Sequence, residues 1–236
     1  LDSQTDHLSA IVTGAGSGIG RSTAKLLSNT GYDIVLVGRT LSKLEETAAD
    51  LAGNSLCVDA DIANPAECER IIRQSLDQFS RIDAIANVAG NAPSLPISES
   101  TAENWRACID TNLTAIVHLT AQAWPTFTAQ QSGVIVNVSS LASIDPFPGF
   151  AMYASAKAGV NMFTKVTARE GEAVGVKAFS VAPGAVETPM LRSLFDESMI
   201  PKENTLSPDA IAQVIVDCII GKRDSDNGHT IQVPNQ

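Results

Sequence analysis

Short apolar runs rich in β-branched residues alternate along this chain with stretches of helical periodicity, and that alternation limits the fold more than any other feature of the sequence. Residues 10–13, 33–37, 55–58, 84–88, 134–138, 176–181 and 228–233 read as strands. Between them, residues 21–29, 41–51, 101–130, 152–173 and 208–220 repeat apolar side chains at helical spacing, with Pro125 breaking the third of these stretches. A further helix opens at Asn64-Pro65, with an N-cap and a first-turn proline. Residues 134–138 are apolar almost throughout, as a strand covered on both faces of a parallel sheet must be. Crossovers between parallel strands are right-handed, so the expected architecture is α/β: a doubly wound, mostly parallel seven-stranded sheet of order 3-2-1-4-5-6-7 with helices on both faces. No linker divides residues 1–236, and one domain is expected, with residues 190–206 as a short substrate loop or lid between Pro189 and Pro208.

A formal net charge of −10 with scattered Lys and Arg gives phosphate-backbone binding little to rest on, so nucleic acid is not expected as a partner. The apolar runs fall well short of the roughly 20 residues a spanning helix needs, and the stretch 1–8 is polar, unlike a signal peptide. A cytoplasmic protein without membrane contact is therefore expected. Cys57, Cys68, Cys108 and Cys218 lack metal-ligand spacing and read as reduced buried thiols; the dispersed histidines likewise suggest no metal.

The first strand enters Gly14-Ala-Gly-Ser17-Gly18-Ile19-Gly20, and a helix follows. Glycines allow positive φ and close backbone approach, and the helix amino terminus offers free N–H groups to a pyrophosphate; taken alone, the same turn could be tight without holding a ligand. The second strand ends at Gly38-Arg39, where a dinucleotide fold tests the adenosine ribose. An acid there would hold both ribose hydroxyls, whereas Arg39 offers donors to a 2′-phosphate, so NADP(H) is preferred over NAD(H); the alternative is a solvated turn residue. Asp61, before Ile62, suits either an adenine contact or turn chemistry. Asn112, on an otherwise apolar helical face, requires partners: the helix backbone or an ordered water. Residues 134–138 deliver Ser139 and Ser140 at a strand's carboxyl end, where open α/β sheets bind ligands. Tyr153 and Lys157 lie one helical turn apart on one face.

These motifs, in this order and spacing, resemble the short-chain dehydrogenase/reductase family over nearly the whole chain. Thr13-Gly14-x-x-x-Gly18-x-Gly20 is similar to its cofactor turn, Asn87-Val88-Ala89-Gly90 to its Asn-Asn-Ala-Gly segment, and Tyr153-x-x-x-Lys157 to its catalytic pair. The resemblance implies a Rossmann fold and a catalytic tetrad of Asn112, Ser140, Tyr153 and Lys157. It implies a cofactor site of Gly14, Ser17, Gly18, Ile19, Gly20, Arg39, Asp61, Ile62, Asn87, Ala89, Gly90, Tyr153, Lys157, Pro183, Gly184, Val186 and Thr188. Two departures stand out: Val88 replaces the second asparagine, and residues 230–236 lack the family's Asp-Gly-Gly finish.

The implied function is an NADP(H)-dependent reductase or dehydrogenase, similar to 3-oxoacyl carrier-protein reductases and ketoreductases, acting on a small carbonyl or alcohol as a homodimer or homotetramer. Tyr153 is the expected acid/base, its phenol lowered by Lys157, with Asn112 positioning a water. A non-catalytic nicotinamide-binding sensor or scaffold of the same fold is the alternative, against which the complete tetrad argues.

Overall fold

The computed structural model describes residues 7–235, so most of the polar amino-terminal stretch and Gln236 lie outside the described residues. Strands β1 (Ser9–Thr13), β2 (Asp33–Gly38), β3 (Ser55–Asp59), β4 (Ala84–Asn87), β5 (Gly133–Val138), β6 (Val176–Pro183) and β7 (Thr230–Val233) form one sheet of order β3-β2-β1-β4-β5-β6-β7. All neighbouring strands pair in parallel.

Alternation along each strand separates two cores. From β1 and β2, Ala10, Val12, Ile34 and Leu36 point to one face, where they meet α1 (Gly18–Ser28), α2 (Leu41–Ala48) and α8 (Pro208–Ile219) through Leu27, Leu44, Ile211 and Ile215. Ile11, Val35 and Val37 point to the other face. There α3 (Pro65–Phe79) brings Ile71 and Ile72, α5 (Ala115–Gln130) brings Leu119 and Phe127, and α6 (Ala151–Gly171) brings Ala168. The central strands are buried on both faces, which is why their sequences read as apolar runs rather than as alternating patterns.

Two details differ from expectation. Pro125 does not break its helix; it sits inside α5, where the carbonyl four residues earlier belongs to exposed Ala121 and can bond to water. The irregularity falls instead at Asp110–Thr114, a π-helical turn joining α4 (Ala102–Ile109) to α5 and carrying Asn112. The aperiodic stretch 190–206 also begins with a short helix, α7 (Pro189–Leu194), whose signals were local: Thr188 accepts a hydrogen bond from the Leu191 N–H and Pro189 occupies the first turn.

Because the sheet is parallel, the carboxyl ends of β1, β2, β4, β5 and β6 open on one edge. Gly14, Arg39, Val88, Ser139 and Gly184 follow those ends directly, and all five line one cavity of about 740 Å³.

Candidate active site

Ser140, Tyr153, Lys157 and Asn112 all line this cavity. Lys157 is almost fully buried, and its Nζ donates to the Val138 carbonyl at 2.8 Å and lies 5.6 Å from the centre of the Tyr153 ring. Ser140 caps the turn that follows β5: its Oγ accepts from the Ala142 N–H at 3.1 Å, which leaves the hydroxyl proton free to donate. Ser139 points away, donating to the Lys157 carbonyl at 3.1 Å, and so serves the framework of the site.

The electrostatics correct one expectation. Burial pushes the Tyr153 phenol above its ordinary value, opposed by a hydrogen bond with Ser140, so the protein alone does not lower it. Burial acts on the lysine instead, bringing the Lys157 ammonium down to about 8. The two groups, which titrate close together as free side chains, are thereby driven apart, with the Lys157 ammonium becoming the stronger acid of the pair.

Asn112 is fully buried at the π-helical turn. Its Nδ2 donates to the Cys108 carbonyl at 3.0 Å, to the Asn91 carbonyl at 2.8 Å and to Asn91 Oδ1 at 2.7 Å. It is bonded both to its own helix and across to the loop after β4, which makes Asn91 a residue of the site that no sequence motif marked. Gly90 lies between the two groups: a Cβ there would stand 2.7 Å from Asn112 Oδ1 and 3.6 Å from Lys157 Nζ.

The remaining cavity is a glycine cradle suited to a dinucleotide. At Gly14 (φ +70°) and Gly18 (φ +50°) the backbone is left-handed, and a Cβ at Gly20 would come within 2.2 Å of the Gly14 carbonyl oxygen. Ser17 provides no side-chain cap for α1, so the first N–H groups of the helix are available to an anion. Ile19, Asp61, Ile62, Pro183, Val186 and Thr188 also line the cavity, whereas Asn87 lies behind it, donating from Nδ2 to Asn137 Oδ1 at 2.8 Å. Asp61 also makes the turn contact anticipated for it, accepting from the Ala63 N–H at 3.1 Å. At the adenosine end, exposed Arg39 is joined by exposed Lys43, which sequence reading overlooked within a helix; neither forms an ion pair among the described residues.

The sequence model of the short chain dehydrogenases matches residues 9–198. The chain belongs to the short-chain dehydrogenase/reductase family. An uncharacterized oxidoreductase of Staphylococcus epidermidis is 36% identical over 77% of this chain and 79% of its own, and the 3-oxoacyl-[acyl-carrier-protein] reductase of a Synechocystis species is 36% identical over 87% of this chain and 86% of its own. Among solved structures, a short chain dehydrogenase/reductase family protein superposes with a TM-score of 0.87 at 31% identity, covering 96% of this chain and 95% of that one. Levodione reductase superposes with a TM-score of 0.89 at 25% identity, covering 97% and 96%.

Both departures from the family's sequence pattern have a structural explanation. At Val88 the link between β1 and β4 is made by the backbone: Thr13 Oγ1 accepts from the Val88 N–H at 3.0 Å and from the Ala89 N–H at 3.1 Å, so no side chain is required there. At the carboxyl end Asn235 forms a clasp. Its Oδ1 accepts from the Ala185 N–H at 2.8 Å, and its Nδ2 donates to the Ala185 and Asn204 carbonyls, each at 2.9 Å. Asn235 thus ties the loop after β6 to residue 204 of the stretch 190–206, and a Cβ at Gly184 would fall 2.0 Å from its Oδ1. Asn235→Ala is expected to weaken nicotinamide cofactor binding about fivefold and to cost about 1–2 kcal/mol of stability. Fluorescence titration and thermal denaturation read the two effects separately, and an unchanged dissociation constant would confine the clasp to stability.

Among the described residues no group of His, Cys, Asp and Glu is arranged to hold a metal, and no helix is long and apolar enough to cross a membrane. Cys68, Cys108 and Cys218 are buried free thiols, while Cys57, expected to be buried, is half-buried on the edge strand β3.

Proposed function

We propose that this protein is an NADP(H)-dependent oxidoreductase that interconverts a carbonyl compound and its secondary alcohol, with Tyr153 as general acid/base. The observation that carries the reading is the convergence of Ser140, Tyr153, Lys157 and Asn112 on the same cavity as the glycine cradle. The nicotinamide, when bound, supplies or accepts the hydride. In reduction, the Ser140 and Tyr153 hydroxyls donate to the substrate oxygen, and Tyr153 gives up its proton as alkoxide character develops. Lys157 favours the resulting phenolate electrostatically and holds a ribose hydroxyl, while Asn112 orients the water that returns the proton. The stretch 190–206 covers the site as a lid. The Synechocystis relative makes 3-oxoacyl thioesters one substrate class to test.

Preference for NADP(H) is supported by Arg39 and Lys43, two cations without ion-pair partners among the described residues, and by the lack of an acid at Gly38. NADPH is expected to bind at least ~10-fold more tightly than NADH, with Arg39→Ala removing most of the difference, since a charge-assisted contact is worth about 1.5–3 kcal/mol. Calorimetric titration of both cofactors tests this, and equal wild-type affinities would count against it. Following nicotinamide absorbance with a carbonyl panel tests the reaction itself. A homodimer or homotetramer belongs to the same reading, with exposed Trp105, Val117, Met162 and Val166 on α4, α5 and α6 as apolar surface for a second copy to cover.

A further inference from the structure

Charge is distributed unevenly along the cavity. Cationic and anionic groups gather at the adenosine end, in Arg39, Lys43 and Asp61. Beyond Asp61 in the chain, the described lining residues include no carboxylate and a single cation, Lys157, which donates to the Val138 carbonyl and, in the function proposed above, to a ribose hydroxyl of the cofactor. The wall beside Tyr153 is instead built of rings. Phe150, 4% exposed, meets Tyr153 edge-on at 6.4 Å between ring centres. It packs against Phe147 at 4.6 Å and stacks on Phe195 of the lid stretch at 6.0 Å with an interplanar angle of 24°. The lid adds Met190, Leu191, Leu194 and Ile200.

The surroundings do not supply the missing positive charge. The lid's Arg192 donates from Nε to Glu187 at 2.8 Å and from a terminal nitrogen to the Ile200 carbonyl at 2.8 Å, and Lys202 also acts on Glu187. Asp145, Asp196 and Glu197, each within two residues of the lining Phe147 or Phe195 in the chain, are exposed, and Asp196 is held below the usual carboxylate range by hydrogen bonding with Ser198. An anionic substrate would therefore leave a carboxylate without a partner among apolar side chains, a costly arrangement.

We infer that the substrate is an uncharged ketone, or its alcohol, whose reacting carbon lies in or next to an apolar ring that packs against Phe195 and Phe147, with buried Phe150 backing both, rather than a carboxylated ketone or a thioester on a phosphate-bearing arm. This rests on the oxidoreductase reading of the same site. Flat, apolar walls favour ring stacking and exclude water around the carbonyl, and Ser140 and Tyr153 provide the polar contact that fixes its orientation.

Matched pairs of probes test the inference: acetophenone against 4-acetylbenzoate, cyclohexanone against 4-oxocyclohexanecarboxylate, and acetoacetyl-coenzyme A, each with NADPH. The neutral member of each pair is expected to exceed its carboxylated partner, and the thioester, at least ~100-fold in kcat/KM. Phe195→Ala should lower kcat/KM for the neutral ring ketones about 10-fold while leaving NADPH binding unchanged by calorimetry. Leu194→Arg should raise kcat/KM for the carboxylated partners. Calorimetry of 1-phenylethanol and 4-(1-hydroxyethyl)benzoate with the NADP⁺-loaded protein gives a readout apart from turnover, with binding expected only for the neutral alcohol. Equal or better use of the charged members overturns this inference and leaves the oxidoreductase reading intact; no hydride transfer to any probe, with NADPH bound, overturns both.

Discussion

Replacing Tyr153 with Phe is expected to lower turnover at least ~100-fold, the lower end of what a positioned acid/base contributes. The substitution removes one hydroxyl and keeps the ring, so the edge contact with Phe150 and the cavity wall survive. NADPH should then bind about as tightly as to wild type, which separates loss of chemistry from loss of the site. The pH dependence provides a second signature. Burial raises the Tyr153 phenol, so its base form is scarce near neutrality, and oxidation of an alcohol should accelerate with rising pH while reduction should not. In Tyr153→Phe the residual oxidation should lose that rise. Unchanged turnover, or an undiminished rise with pH, would remove Tyr153 from the role proposed for it.

The sheet order was legible because its signal is redundant. Each strand is a short β-branched run, each helix carries its own periodicity, and handedness leaves few ways of joining them. Around the site, the readable residues were those whose spacing carries meaning within one element, as with Tyr153 and Lys157 on a helix face or Gly14, Gly18 and Gly20 in a turn. Residues working across elements escaped notice. Asn91 holds Asn112 from the loop after β4, Lys43 reaches the Arg39 end of the cavity from the first turn of a helix, and Asn235 clasps Ala185 from 50 residues away. No periodicity marks such partners, because they are chosen by proximity in the folded chain. Burial was similarly invisible. A lysine four residues after a tyrosine looks the same in sequence whether exposed or enclosed, and only enclosure shows the Tyr153 phenol raised and the Lys157 ammonium lowered. Pro125 misled for the opposite reason: a helix-breaking residue is tolerated where the carbonyl it leaves unpaired faces water.

Lys157→Met is expected to abolish most activity and, at neutral pH, to stabilise the protein. Turnover should fall at least ~100-fold, because the proposed mechanism assigns Lys157 both the charge that favours the phenolate and a contact to the cofactor. The stability effect follows from burial. Desolvation takes the Lys157 ammonium from 10.5 down to about 8, which corresponds to about 3 kcal/mol borne by the folded state while the lysine is charged. Below pH 8 folded and unfolded chains both carry the proton, and the full cost is present. Between about pH 8 and 10.5 the unfolded chain binds more protons than the folded one, so the contribution of this group to stability rises with pH, and above that window the cost is gone. Met preserves much of the volume and removes the charge but leaves the Val138 carbonyl without the donor it has at 2.8 Å, a loss of about 1–3 kcal/mol. The variant should therefore be more stable than wild type by about 1 kcal/mol at pH 7, and that advantage should disappear or reverse as pH approaches 10. Urea unfolding of both proteins at pH 7, 8.5 and 10 measures the difference directly. A constant gap across that range would mean that Lys157 does not change protonation between the folded and unfolded chains there, and the proposed tension between its burial and its charge would have to be given up.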